Sequence, residues 1–565
     1  MNRRPPLCFI LACLLAGRAL AQPAPLPPYD VVVYGGTPAA ITAALQAARL
    51  GARTALVSPD THLGGMTANG LGWTDSKDGR AIGGLAREFY HRIWQHYRAP
   101  AAWPRGDRSL YAGISAQPGP AIDDAQQVMW CFEPKVAEQV FERWLAESTV
   151  EIFRDEWLER NGGVTVSDRR IRRIRMLSGR VFQAEVFIDA TYEGDLMAAA
   201  GVSYRIGRDR AAEHGEPLNG IYFEDATARY YKDGQYEGIS PYRVPGDPRS
   251  GLIAGIEGEF LHAEKPGDSD RRLQSFNYRL CLTDRPDNQV SVTRPADYRE
   301  ADYELLLRLY ESGHSSGFST QAMPNGKTDS NNEGLMSLDF VGGNFSAAHG
   351  WNYSESDYAT RRKIVEDHRR YAQGLLWTIM HHPRVPKAAR IRWSRYGLAA
   401  DEFADNGHWP RQLYVREARR LNGLNTVTQH HVENKPGYET TDSIGLGSYS
   451  LDSHAVRRVV VDGRIRTEGQ FYVWKDTPYP ISYGAIVPRP DDIRNLLVPV
   501  TLSATHAAFG SIRMEPTYMI LGQSAGAAAV LAAQRNQAVQ EIPYAELRRQ
   551  LVKDGQRLAR EPEPR

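Results

Sequence analysis

Cysteine is scarce in this chain. Its 565 residues hold four, and Cys8 and Cys13 fall in an apolar leader, so a mature chain keeps only Cys131 and Cys281. Two cysteines cannot build a disulfide framework, and neither sits in a C-x-x-C redox pair. They are read as buried or surface thiols, with a single bridge between them still open in an oxidising compartment. An excess of one charge is also missing. Lys+Arg 68 against Asp+Glu 67 leaves no global field to gather nucleic acid or anionic lipid. Metal-ligand spacing is absent too, because His430-His431-Val432-Glu433 has no matching cluster; the expectation is no metal.

What is present is ordinary for a globular enzyme: 42% hydrophobic and 24% charged residues, in a chain too long for one simple core. Residues 1–21 read as an export signal, with Arg3-Arg4, an apolar run from Leu7 to Ala16 and Ala19-Leu20-Ala21 before Gln22. That run is too short to span a bilayer, so removal and a periplasmic or secreted location are expected, with no stable membrane anchor. Ile10-Leu11-Ala12-Cys13 faintly resembles a lipoprotein box, and both the general and the twin-arginine export routes stay open. Pro23 to Pro28 is a stiff lead into the first strand.

The stretch from Tyr29 to Gly65 organises the rest. An apolar run, Val31 to Tyr34, breaks at Gly35-Gly36, continues as an alanine-rich helical pattern from Pro38 to Leu50 and returns to an apolar run, Thr54 to Val57. Glycine permits the sharp turn, and Pro38 suits a first helical turn. The helix N-terminus, at Gly35, Gly36, Thr37, Pro38 and Ala39, then offers N–H groups and a positive dipole end to a pyrophosphate. This is the first βαβ unit of a dinucleotide-binding domain. Its fingerprint is degenerate: Thr37 holds the middle glycine position, and Ser58, with Asp60 close behind, stands where an acidic residue is expected about 20 residues on. Directly after it, Gly64, Gly65, Met66 and Thr67 form a second glycine loop, which a flavin needs and a nicotinamide does not.

Further on, Gly84 to Tyr97 and Glu133 to Leu145 show amphipathic helical spacing, and residues 99–125 read as a surface insertion. Val186 to Thr191 is a buried strand ending at Ala190, Thr191 and the polar turn to Asp195. From about Arg205 to Ser482 tyrosine, tryptophan, arginine and aspartate become frequent, which points to an inserted domain. Within it residues 320–356 read as loop, Tyr358 to Ile379 as a helix with His368 on its core face, and residues 397–420 as a dense mixture of carboxylates and guanidiniums. Ile493 to Val500 is a returning strand, and Pro516 opens a last long helix thinned by Gly522 and Gly526.

The segments YGGTPAA, HLGGMT, FIDATYEGDLMAAAG, GLAADEF, HWPRQLYVREARR and SATHAAFGSIRMEPTYMILGQSAGAAA, in this order, resemble the FAD-dependent oxidoreductase family that lies between glutathione-reductase-like and fumarate-reductase-like flavoproteins. Its bacterial members are often loosely labelled putative xanthan lyases. The resemblance runs from about Tyr29 to Leu551. It implies an α/β fold, a Rossmann-like FAD-binding domain with a parallel sheet and an inserted α+β substrate domain. The parts are residues 29–204 and 483–540 for the FAD-binding domain, 205–482 for the insert and 541–565 for a C-terminal helix and tail. It implies FAD, covalent or not, with Trp157 near adenine, Ala190, Thr191 and Asp195 closing over the adenosine half, and Ser511 and Ile512 beside the ring system. Pro499-Val500-Thr501 stands where many flavoproteins carry a ribityl-binding aspartate.

The expected chemistry is hydride transfer from a C–H of a small polar substrate, sugar-like, alcohol or amine, to flavin N5. His506 is the expected base, Arg513 a clamp or a stabiliser of reduced flavin, and His408 and Arg416 second candidates. The His506 and Arg513 pattern resembles the substrate end of fumarate-reductase-like proteins. With no second nucleotide fingerprint, oxygen, a quinone or a small carrier would accept the electrons. A polysaccharide lyase, a fumarate-reductase-like reductase and a non-catalytic FAD-containing binding protein are the alternatives.

Overall fold

The computed structural model describes residues 28–223, 235–260, 263–314, 317–346 and 351–560; the export signal expected at residues 1–21 lies outside them. Strand β1 (Tyr29–Tyr34) has its three valines fully buried, as the continuous apolar run of a two-sided parallel strand demands. Helix α1 (Pro38–Arg49) follows with Thr37 as N-cap, its hydroxyl accepting from Ala40 N at 3.2 Å, and β2 (Thr54–Val57) closes the first βαβ unit. After helices α2 (Gly84–Tyr97) and α3 (Pro134–Ala146) come β3 (Glu151–Phe153) and β4 (Ala184–Asp189).

A second layer belongs to the middle of the chain. Strands β5 (Leu280–Thr283), β6 (Gln289–Val290), β7 (Gln321–Met323) and β8 (Lys327–Ser330), the long helix α4 (Tyr358–His381) and β9 (Gly397–Ala399) lie there. The five strands form an antiparallel sheet in the order β6-β9-β5-β8-β7. The expectation of loop over 320–356 is therefore corrected. β8 escapes notice because Lys327-Thr328-Asp329-Ser330 is polar throughout yet buried, each charge matched by a partner rather than by apolar alternation. The stretch 99–125 likewise buries Trp103 and Tyr111.

A hairpin of β10 (Leu451–Ser453) and β11 (Phe471–Val473) precedes the return to the first layer. There β12 (Leu496–Leu497) pairs in parallel with β4, giving the order β12-β4-β1-β2-β3, parallel throughout. The strand order reverses between β1 and β4, the place where open α/β sheets bind ligands. Helices α5 (His506–Ile512), α6 (Glu515–Arg535) and α7 (Tyr544–Lys553) end the chain. α6 lies directly on α1: a Cβ added at Gly522 would come within 2.2 Å of Ala39 O, and one at Gly526 within 2.4 Å of Ala43 O. Thr42 Oγ1 donates to Met519 O at 2.9 Å. The first and last long helices thus meet beside the sheet, and the fold is α/β and Rossmann-like with an insertion.

Buried charges join the layers. Asp195 takes two bonds from Arg361 and one each from Arg419 and Arg160, and Lys327 lies within 2.8 Å of carboxylate oxygens of Glu133, Asp401 and Glu402. His368 is a core histidine whose Nδ1 meets Ile364 O at 2.7 Å; burial pulls it down to about 4. Cys131 and Cys281 are free, buried thiols that burial pushes up.

Candidate functional site

A cleft of about 460 Å³ opens above the carboxyl ends of β1, β2 and β4, within the usual range for small-molecule sites. Gly36 and Thr37 bring the amino end of α1 to its wall. At Gly36 a side chain has no room, since an added Cβ would lie 2.6 Å from Ser58 Oγ and 2.7 Å from the Asp60 carboxylate. Gly35, at φ +136°, packs against Ala190 O and ties β1 to β4. Pro38 and Ala39 form the opening turn of α1. Ser58 Oγ accepts from Asp60 N at 3.0 Å, and it is Asp60 that lines the cleft. Burial, then the neighbouring Glu193, pushes the Asp60 carboxyl up to about 7.

Trp157 and Tyr358 form an aromatic wall, edge to face with centroids 4.9 Å apart, while Thr191, Glu193, Asp195 and Arg361 continue it. Burial opposes ionisation of Asp195, but its guanidinium partners prevail and hold it at about 2.

The second glycine loop is stitched to the first: Gly64 N donates to Gly36 O at 2.8 Å. Met66 N donates to the Tyr192 hydroxyl at 2.9 Å, which donates to Glu515 Oε1 at 2.8 Å, and Thr67 Oγ1 donates to Glu515 Oε2 at 2.9 Å. Burial lifts Glu515, in the first turn of α6, to about 7. Thr501 Oγ1 is buried and has no hydrogen-bond partner among the described residues.

Behind the amino end of α6 lies a buried polar network. Arg513 donates to the Tyr414 hydroxyl at 2.9 Å and to Asp452 Oδ2 at 3.0 Å. His454 has Nε2 3.6 Å from Asp452 Oδ2 and Nδ1 2.6 Å from Asp339 Oδ2, and Asp339 takes a 2.9 Å bond from Arg416. His506 is engaged on both ring nitrogens, Nδ1 with Glu417 at 2.8 Å and Nε2 with Ser453 at 3.2 Å. Gln274 links the two sets, its amide donating to Glu417 and accepting from His454 N.

Of the residues singled out from sequence, Gly36, Thr37, Trp157, Thr191 and Asp195 line the cleft. Gly64 and Met66 bond to its wall, and Thr67 reaches it through Glu515 and Tyr192. A Cβ at Gly65 would sit 2.3 Å from the Tyr192 hydroxyl. Ser58 supports Asp60. Arg513, Arg416 and His506 converge in the network, whereas His408 stands apart in a half-buried loop, Nδ1 3.2 Å from Glu402 O. Ser511 and Ile512 are buried in α5, Ser511 bonding Tyr449 O and the Tyr479 hydroxyl. Sequence reasoning missed Asp60, Glu193, Glu515, Asp452 and His454. Only Asp60 left a signal, two residues beyond the expected acidic position.

A family model described as FAD dependent oxidoreductase matches residues 30–551. No curated protein matches the chain. Similar solved structures include GidA from Aquifex aeolicus, at 21% identity over 29% of this chain and 24% of that one, with a TM-score of 0.17. PqsL, a probable FAD-dependent monooxygenase from Pseudomonas aeruginosa, is 15% identical over 32% of this chain and 48% of that one, with a TM-score of 0.21. The L-proline dehydrogenase from P. horikoshii is 16% identical over 33% and 59%, with a TM-score of 0.22. The chain therefore covers 24% to 59% of the length of these proteins.

Proposed function

We propose, from the premise that this chain belongs to the FAD dependent oxidoreductase family, that it oxidises a small polar substrate, sugar-like, alcohol or amine. FAD is its cofactor, and the cleft fits it. Gly36 leaves Ser58 and Asp60 the space that a side chain would take, the N-terminus of α1 suits a pyrophosphate, Asp60 suits ribose hydroxyls, and the Thr501 hydroxyl, buried beside Gly194, has no partner among the described residues. Trp157 and Tyr358 offer an aromatic wall on the adenine side. FAD held there would supply the two-electron sink for oxidation of a substrate C–H bond.

The observation that carries the reading is the Asp339–His454–Asp452 chain ending at Arg513, because it gives a substrate oxidation what the cofactor cannot. Arg513 holds a substrate oxygen, and its own position is fixed by Tyr414 and Asp452. Asp452 relays the proton of the substrate hydroxyl or amine to His454, and Asp339, bonded to the other ring nitrogen, stabilises the imidazolium that forms. His506, bonded on both nitrogens, holds β10 in place through Ser453. Reoxidation falls to oxygen, a quinone or a small carrier. The leader expected at residues 1–21 puts this chemistry in the periplasm or outside the cell.

Anaerobic mixing of the FAD-loaded protein with sugars, amino sugars, amines and hydroxy acids tests this reading. Loss of flavin colour with at least one class is expected, slowed about 100-fold or more in His454→Gln. Colour unchanged by every class would overturn it.

A further inference from the structure

The loop that follows the second glycine turn carries Lys77 to an aromatic corner that the reading above does not use. Lys77 Nζ lies 4.1 Å from the ring centroid of Trp474, 5.1 Å from Tyr449 and 5.8 Å from Tyr472. The same ammonium donates to Gln117 Oε1 at 2.8 Å, and Gln117 Nε2 donates to Asp75 Oδ1 at 3.1 Å. Lys77 N bonds Ser448 O at 2.7 Å. Three stretches far apart in sequence, residues 73–78, the 99–125 stretch and the β10/β11 hairpin, therefore converge on one ammonium group.

The corner runs inward to the proposed chemistry. Asp452, which accepts from Arg513, pairs across the hairpin with Tyr472, and Tyr449 O accepts from Ser511, two residues before Arg513. Outward it ends on Trp474, 51% exposed just beyond β11, while Phe471 of the same strand is wholly buried. A half-exposed indole beside fixed polar groups suits a ligand that is apolar on one face and hydroxylated at its edge. The ammonium, held against the ring by cation–π attraction, has three donors, one of which goes to Gln117.

We infer that Trp474, Tyr472, Lys77 and Gln117 form a saccharide subsite at the outer end of the substrate site. The C–H face of a pyranose ring lies on the outer face of the Trp474 indole, which Lys77 Nζ, itself held by Gln117, braces from the opposite face. This deepens the function proposed above and rests on it: of the substrate classes left open there, it selects the sugars.

The test uses the FAD-loaded protein labelled with 5-fluorotryptophan, the Trp474 resonance being assigned from Trp474→Phe. Methyl hexopyranosides and disaccharides are titrated in, with propanol and propylamine as controls. A saturable shift of the Trp474 resonance with at least one sugar and neither control is expected. Its midpoint should rise tenfold or more in Lys77→Met and return toward the parent value in Lys77→Arg, with the flavin spectrum of the free protein unchanged throughout. No shift with any sugar, or the same midpoint in Lys77→Met, would overturn the subsite. The two readings fail separately: bleaching by an alcohol or amine with a silent Trp474 removes the subsite and leaves the oxidoreductase, whereas sugar binding without bleaching does the reverse.

Discussion

The floor of the cleft above β1 and the network around Arg513 are built from opposite materials. The floor is made of backbone and small residues: Gly36 flush against Ser58 and Asp60, the first turn of α1, and α6 lying on α1 through Gly522 and Gly526. The network is made of charged side chains from many parts of the chain, Arg513 on Asp452 and Arg416 on Asp339, and the cluster of Lys327 among three carboxylates is built in the same way. A close-packed backbone site is damaged by adding atoms. A buried ionic lattice is damaged by removing one charge, because each survivor has left water and loses its counter-charge.

The widest separation between the two should come from Lys327→Ala. It strands Glu133 and Glu402 in the core and is expected to cost about 3–5 kcal/mol, read by urea unfolding. A double change to Lys327→Met with Glu133→Gln should recover part of that loss, and a cost as large as the single change would show that packing matters more than charge. Gly526→Val adds atoms against Ala43 O and should cost about 1–3 kcal/mol.

Asp60→Asn sharpens the comparison through pH. The folded carboxyl, lifted to about 7, keeps its proton where the unfolded one has lost it, so stability falls as pH rises from about 4 through 7. Without FAD, the variant should match the parent near pH 4 and exceed it by about 1 kcal/mol near pH 8, a figure reduced for partial exposure. FAD affinity should fall at the same time. Smallest of all, Arg49→Ala breaks an exposed pair with Glu88 at 2.9 Å and should move the unfolding midpoint by no more than about 0.5 kcal/mol.

The same contrast decides what could be read in advance. The strand, turn and helix at Val31 to Leu50 are local: a β-branched run, Gly35-Gly36, Pro38 and alanine spacing all act within a few residues. Helix α6 was legible for the same reason. Strand β8 was not, since Lys327 and Asp329 are buried only because Glu133 and Arg279 lie elsewhere in the chain. His454 was equally hidden. No motif surrounds Asp452-Ser453-His454, and its partner Asp339 lies more than a hundred residues earlier. Counting along the motif led to Ser58, while the side chain in the cleft is that of Asp60, because the chain turns before it faces the cavity. His506 stood out from sequence for its histidine chemistry, but its engagement by Glu417 and Ser453 depends on two distant segments.

The central claim is that the two ends of the chain enclose one flavin over Gly36. Titrating FAD into the purified protein and into Gly36→Val, with bound flavin read by visible absorbance after gel filtration and folding by circular dichroism, tests it most directly. The parent should hold one FAD per chain, and the folded variant should hold little or none. A parent that refuses FAD, or a variant that keeps a full equivalent, would contradict the account.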